Sequence, residues 1–165
     1  METLRSQLFQ AGLRRMPLPA LPKERCGGRA NASSDEAIAH FQKAVQLNPA
    51  STAARLNLAL ELVQRGNYGQ GLKELDELLR YNPHDAAAHF CMGFAFLSTQ
   101  RIDEAIAKFR QGLGYKPDDA EAHFGLGAAL AAQHKREDAV AELQEALRLR
   151  PNLSPARKLL YQLQQ

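Results

Sequence analysis

The sequence predicts an all-α protein built as a stack of helix-turn-helix units, and three observations carry that prediction. Four prolines, Pro49, Pro83, Pro117 and Pro151, stand 34 residues apart. Small residues recur in register with those prolines. Large apolar residues accompany them three or four positions away, the spacing of a single helix face.

Each proline follows a helical pattern, over 37–47, 72–80, 102–114 and 138–149. Proline lacks the amide hydrogen that a continuing helix needs, so it closes one unit and opens a short connection to the next. Asp85 and Asp119 stand two residues after their prolines, where a short acceptor can satisfy free amides at a helix start. In the first helix of each unit the eighth position holds Ala59, Gly93 and Gly127, each preceded by Leu58, Met92 or Leu126. A missing side chain there lets the two helices of a pair approach, and Leu62, Phe96 and Leu130 follow on the same face. In the second helix the twentieth position holds Ala37, Gly71, Ala105 and Ala139, and the twenty-fourth Phe41, Leu75, Phe109 and Leu143, each a knob beside its socket. The twenty-seventh holds Ala44, Leu78, Gly112 and Ala146. Gly71 and Gly112 would each cost about 1 kcal/mol in a helix interior relative to Ala, which predicts looser local order at both.

The domain expected from this register covers 34–165. Residues 34–49 form a partial unit ending in its second helix, and complete units span 52–83, 86–117 and 120–151, with turns near Gly66-Asn67, Gln100-Arg101 and His134-Lys135. Ser154 is expected to cap a last helix over 155–163 that has Pro155 at its first position. Leu159, Leu160 and Leu163 would cover the end of the stack while Lys158, Gln162 and Gln164 face solvent, as the terminal element of a solenoid must arrange.

This pattern resembles the tetratricopeptide repeat family, a 34-residue helix-turn-helix with small residues at positions eight, twenty and twenty-seven and proline at thirty-two. The resemblance implies an α-α superhelix whose first helices line a concave face that binds protein. The family's large aromatic at position four is replaced here by Arg55, His89 or His123. Carrying the family's groove positions onto this chain places Leu56, Asn57, Leu60 and Gln64 in the groove from the first complete unit. Phe90, Phe94 and Leu97 come from the second, and Glu121 and Phe124 from the third. The implied groove is apolar and aromatic and suits a peptide or helix with hydrophobic anchors. On that reading a charged residue at Phe90 or Phe124 abolishes partner binding and leaves helicity intact. Family members that clamp a terminal carboxylate use lysines, arginines and asparagines in this groove, and only Asn57 answers to that set.

The formal net charge of +3 is uneven. Residues 1–30 carry six bases (Arg5, Arg14, Arg15, Lys23, Arg25, Arg29) against Glu2 and Glu24, whereas the rest carries 15 bases and 16 acids. No basic stripe runs along the repeats, which argues against a nucleic-acid partner. Residues 1–16 fit a basic amphipathic helix with Leu4, Leu8 and Ala11 on one flank, stopped by Pro17, Pro19 and Pro22. Gly27, Gly28 and residues 31–34 read as a link. The basic start suits an organelle transit peptide, the alternatives being a disordered tail or a degenerate first helix for the unit ending at Pro49. Otherwise a cytoplasmic location is expected, and membrane association only through this segment.

No catalytic pattern is present: no H-E-x-x-H, no phosphate-cradling glycine loop, no serine elbow. The two cysteines, Cys26 and Cys91, have no metal-ligand spacing and read as free thiols, and no metal or cofactor is expected. The function expected is an adaptor. The alternatives are a homo-oligomerisation or assembly-factor domain, and a regulatory or targeting fragment of a larger enzyme or secretion complex.

Overall fold

The computed structural model describes residues 34–165. The helix, link and targeting segment expected within residues 1–33, together with Cys26, lie outside the described residues. Within them the chain forms α1 (Ser34–Leu47), α2 (Thr52–Gln64), α3 (Tyr68–Tyr81), α4 (Ala86–Ser98), α5 (Ile102–Tyr115), α6 (Ala120–Ala132), α7 (Arg136–Leu149) and α8 (Ser154–Gln164). Helices α2/α3, α4/α5 and α6/α7 are antiparallel pairs. By register α1 is a second helix and α8 a first helix, each unpaired among the described residues.

The first helices start on side-chain caps. Ser51 Oγ accepts from the Ala54 amide at 3.3 Å, Asp85 from Ala88 at 3.0 Å and Asp119 from Ala122 at 3.1 Å. The second helices α3, α5 and α7 have no side-chain cap, but α5 and α7 carry Asp103 and Glu104, or Glu137 and Asp138, in the first turn, beside the free amides. Helix α8 departs from expectation. Its cap position is Leu153, with no side-chain cap, while Ser154 already lies within the helix and Pro155 in its first turn.

The turns within each pair share one geometry. Asn67 N–H donates to Leu62 O at 2.8 Å, Arg101 to Phe96 at 2.9 Å and Lys135 to Leu130 at 3.0 Å, closing each first helix across a residue in the left-handed region. That residue is Gly66 (φ 79°) once, but Gln100 (φ 61°) and His134 (φ 63°) in the other two.

The core forms because one helix of a pair is nearly bare where the other is bulky. A side chain at Gly93 would place its Cβ 2.9 Å from the Phe109 ring, and one at Gly71 would reach 2.6 Å from Val63 Cγ2. Gly112 leaves room for the Phe90 ring in the same way. The glycines at 71 and 112, expected to loosen their helices, are therefore occupied contact sites. Phe109, Leu75 and Leu143 have no exposed surface.

First helices also pack on the next unit's first helix, α2 on α4, α4 on α6 and α6 on α8, while no two second helices pack comparably. The first helices thus form one continuous inner layer, as the concave side of a superhelix requires.

The left-handed turns generate a prediction. A non-glycine residue at positive φ costs roughly 1–2 kcal/mol. Gln100→Gly and His134→Gly should each raise the melting temperature by a few degrees after the added chain entropy is subtracted, and the pair should be nearly additive. Thermal melts followed by circular dichroism check this, and an unchanged or lowered midpoint in both variants would contradict it.

Candidate partner-binding face

The sequence-predicted residues all lie on the first helices of the inner layer, but they divide by depth. Leu60, Phe90, Phe94, Leu97 and Phe124 are buried, the three rings at 4%, 3% and 6% exposure. Leu56, Asn57 and Glu121 are half-buried, and Gln64 is exposed. The broad exposed aromatic surface expected from the sequence is not what the helices build. Phe94 meets Phe109 edge-on, with centroids 4.9 Å apart and planes at 80°, and both rings close over Gly125. Phe90 fills the space left by Gly112. The phenylalanines are consumed by packing between neighbouring helices.

Glu121 Oε1 accepts from Arg150 at 2.5 Å, tying α6 to the connection after α7. Its Oε2 is buried without a hydrogen-bond partner.

Position four, where the sequence departs from the family pattern, does repeated work that sequence reasoning missed. Arg55 Nε donates to Pro49 O at 2.9 Å and Arg157 Nη2 to Pro151 O at 2.5 Å; His89 Nε2 lies 3.0 Å from Pro83 O and His123 Nε2 2.8 Å from Pro117 O. Each ties the start of one first helix to the proline carbonyl that closes the preceding unit. The signal was the recurrence of a nitrogen donor six residues after each of the four prolines spaced 34 residues apart. Arg55 also pairs with Glu74 at 2.6 Å, and His123 Nδ1 faces Glu142 at 2.7 Å. The equivalent position in the middle unit is Lys108. His89 is 2% exposed, and its Nδ1 has no partner. Its Nε2–H donates to Pro83 O. Burial first, and the Lys108 charge after the opposing Pro83 bond, hold its pKa below the usual 6.5.

The Cys91 thiol is buried, and burial pushes its pKa up to about 12, so it is no nucleophile. Among the described residues no three His, Cys, Asp or Glu side chains gather in a metal-binding group.

Two family models, both described as tetratricopeptide repeat, match residues 30–91 and 92–154. The chain belongs to the tetratricopeptide repeat family. No curated protein matches it in a sequence search. Among solved structures, MamA 41-end from Desulfovibrio magneticus RS-1 is similar with a TM-score of 0.73 at 19% identity, covering 97% of this chain and 81% of that one. The first tetratricopeptide domain of human RPAP3 gives 0.67 at 17% identity over 71% of this chain and 92% of its own. YrrB, described as a tetratricopeptide protein with an unusual peptide-binding site, gives 0.67 at 25% identity over 76% and 65%. Tetratricopeptide repeats are protein-interaction scaffolds, and this chain is such a module. Among the described residues no helix is long and apolar enough to cross a membrane.

Two predictions follow from the burial of this face. Phe90→Ala or Phe124→Ala should cost about 3–5 kcal/mol, and a charged residue at either place should collapse the helix signal in circular dichroism; preserved helicity in Phe124→Glu would return the ring to the surface. A second concerns acid. Because His89 must stay neutral in the folded chain, the stability it contributes is present above the unfolded pKa near 6.5 and is lost as pH falls from there toward the lowered folded value. Lys108→Glu recreates the Glu74 and Glu142 arrangement and should shrink the drop in melting temperature between pH 7.5 and 5.5. Parallel drops in the variant and the parent would contradict the role given to Lys108.

Proposed function

We propose that the chain is an adaptor that holds one extended or helical peptide segment of a protein partner along its inner layer. The observation that carries this reading is the continuous side-by-side packing of α2, α4, α6 and α8, which aligns equivalent positions of successive first helices along one surface. In this reading Leu56, Asn57, Gln64 and Glu121 touch the ligand, beside the small Ala53 and Ala87, which leave room for a backbone. Leu60, Phe90, Phe94, Leu97 and Phe124 form the apolar floor beneath and set the spacing of the helices. A floor of this kind favours a ligand with short apolar anchors over one with large aromatic ones. YrrB, whose description names a peptide-binding site, supports a peptide as the ligand class. The near-balanced charge of residues 31–165 supports a protein rather than a nucleic-acid partner. A cytoplasmic setting fits a module of this kind. Homo-oligomerisation through this surface, and service as a regulatory piece of a larger enzyme or secretion complex, are the other readings.

Peptides selected from a random displayed library on the parent chain provide the test. Leu56→Asp and Ala87→Arg, both at incompletely buried positions, should each weaken the selected peptides by about tenfold or more. Asp76→Ala, on the exposed side of α3, should leave binding unchanged. Binding that survives both inner-layer changes, or a parent chain that light scattering shows to be dimeric and that selects nothing, would overturn the adaptor reading.

A further inference from the structure

The three complete units act as controls for one another at the place on the second helix that faces position four. In the first unit Glu74 Oε2 accepts from Arg55 Nη1 at 2.6 Å, and in the third Glu142 Oε2 lies 2.7 Å from His123 Nδ1. Each acid stands 19 residues after the side chain it serves, so a second helix supplies the carboxylate for its own first helix. In the middle unit the residue 19 after His89 is Lys108. His89 makes the same Nε2 contact to Pro83 O that His123 makes to Pro117 O, so its Nδ1 is turned toward α5, where the other two units place a carboxylate. That nitrogen has no partner among the described residues, on a side chain 2% exposed. Lys108 is half-buried and forms no ion pair among the described residues. Tyr115, at the end of α5, lays its ring against both nearby histidines, with centroids 4.9 Å from His84 and 5.7 Å from His89. Asp85, the acid nearest in sequence, already accepts from the Ala88 amide and from Asn82 Nδ2.

We propose that this corner of the middle unit, formed by His89, Lys108, His84 and Tyr115, receives an acidic side chain of a protein partner in the place that Glu74 and Glu142 fill in the units on either side. Burial first, then Lys108 from α5 and His84 from the connection before α4, oppose a proton on His89, while the Pro83 carbonyl and Asp85 favour one. An incoming carboxylate reverses that balance. It pairs first with the Lys108 ammonium, which no acid of the described chain engages. The His89 Nδ1 is closed off from solvent, and the carboxylate reaches it as the flexible stem of Lys108 swings outward with its new ion pair. The proton that burial and Lys108 keep off the ring is then taken up from solvent, and Nδ1–H donates to the carboxylate, whose charge favours the imidazolium. Acid ligand and proton therefore bind together, and affinity rises as pH falls toward 6. Lys108 belongs to a second helix, outside the inner layer, so this site is separate from the surface proposed for a peptide ligand.

The test uses the whole chain at low salt, where a surface ion pair is least screened, with a hexaglutamate peptide as the probe and hexaglutamine as its control. The ring signals of His89 are followed by NMR. Hexaglutamate should shift them saturably and raise the pH at which the ring gains its proton, and its affinity should grow at least about threefold between pH 7.5 and 6. Lys108→Gln should weaken it by about fivefold or more. Lys108→Glu, which fills the place from within, should not respond. Leu56→Asp, which alters the inner layer, should respond as the parent does, so failure of this site and failure of the inner-layer reading are seen separately. No shift of His89 at about 10 mM hexaglutamate, an equal shift with hexaglutamine, or affinity retained in Lys108→Gln would overturn the proposal. So would loss of the response in Leu56→Asp, which would move the acidic ligand to the inner layer.

Discussion

Close approach of the two helices in each pair is the constraint on which the rest of this structure depends. It is achieved by emptying one helix where the other is bulky. Phe109 is the fullest case: its ring lies against Gly93 of its own unit and Gly125 of the next, so a single side chain sets both the spacing within one pair and the step to its neighbour. A methyl group at either glycine would have to displace a ring that has no exposed surface into which it could move. The superhelix follows from this, because the first helices are drawn together into one layer while the second helices are held outside it.

The frame was legible in the sequence because its two strongest signals act over short distances. A proline ends a helix wherever it falls, and the caps at Asp85 and Asp119 bond amides three residues away. The depth of the phenylalanines was not legible. Whether Phe90 faces a ligand or a neighbouring helix depends on Gly112, 22 residues later and on another helix, and only the packed pair shows that the glycine is its socket. Gly71 and Gly112 were misread for the same reason. Helix propensity counts what glycine loses in an isolated helix and cannot count a contact that a Cβ would forbid. Ser154 was misread more simply, since it lies one residue inside the helix and its hydroxyl donates back to Asn152 O at 3.5 Å instead of accepting from an amide.

The interactions at position four show how a repeat keeps its units in step without a large aromatic. A proline carbonyl at the end of a unit has lost its helical partner, and a donor six residues later supplies one, so the same bond satisfies an orphan acceptor and fixes the angle between units. Arginine does this with donors to spare for Glu74. Histidine has only two ring nitrogens, and in the middle unit Lys108 removes the acid that the second one would meet. His89 therefore gives up one hydrogen bond at a fully enclosed place, a loss of order 1–3 kcal/mol for a buried polar atom. In a stack where each unit leans only on its neighbours, the middle unit is supported from both sides and tolerates such a loss better than either end.

That asymmetry bears on where binding specificity resides. Phe90 and Phe94 of the floor are fixed by Gly112 and Gly125 opposite them, so a change at either alters helix spacing before it alters any surface. The residues that vary at least cost to the core are the incompletely buried ones, Gln64 and Ala53, which are exposed, and Leu56 and Ala87, which are half-buried. None of these carries charge, and none is a large aromatic. Affinity for a ligand on this face must then come from the length of chain laid along several helices rather than from one deep anchor, and each unit's contribution is small. A module built this way gains selectivity from the register between ligand and repeat, so the bonds that hold neighbouring units at a fixed angle are as much a part of recognition as the residues that touch the ligand.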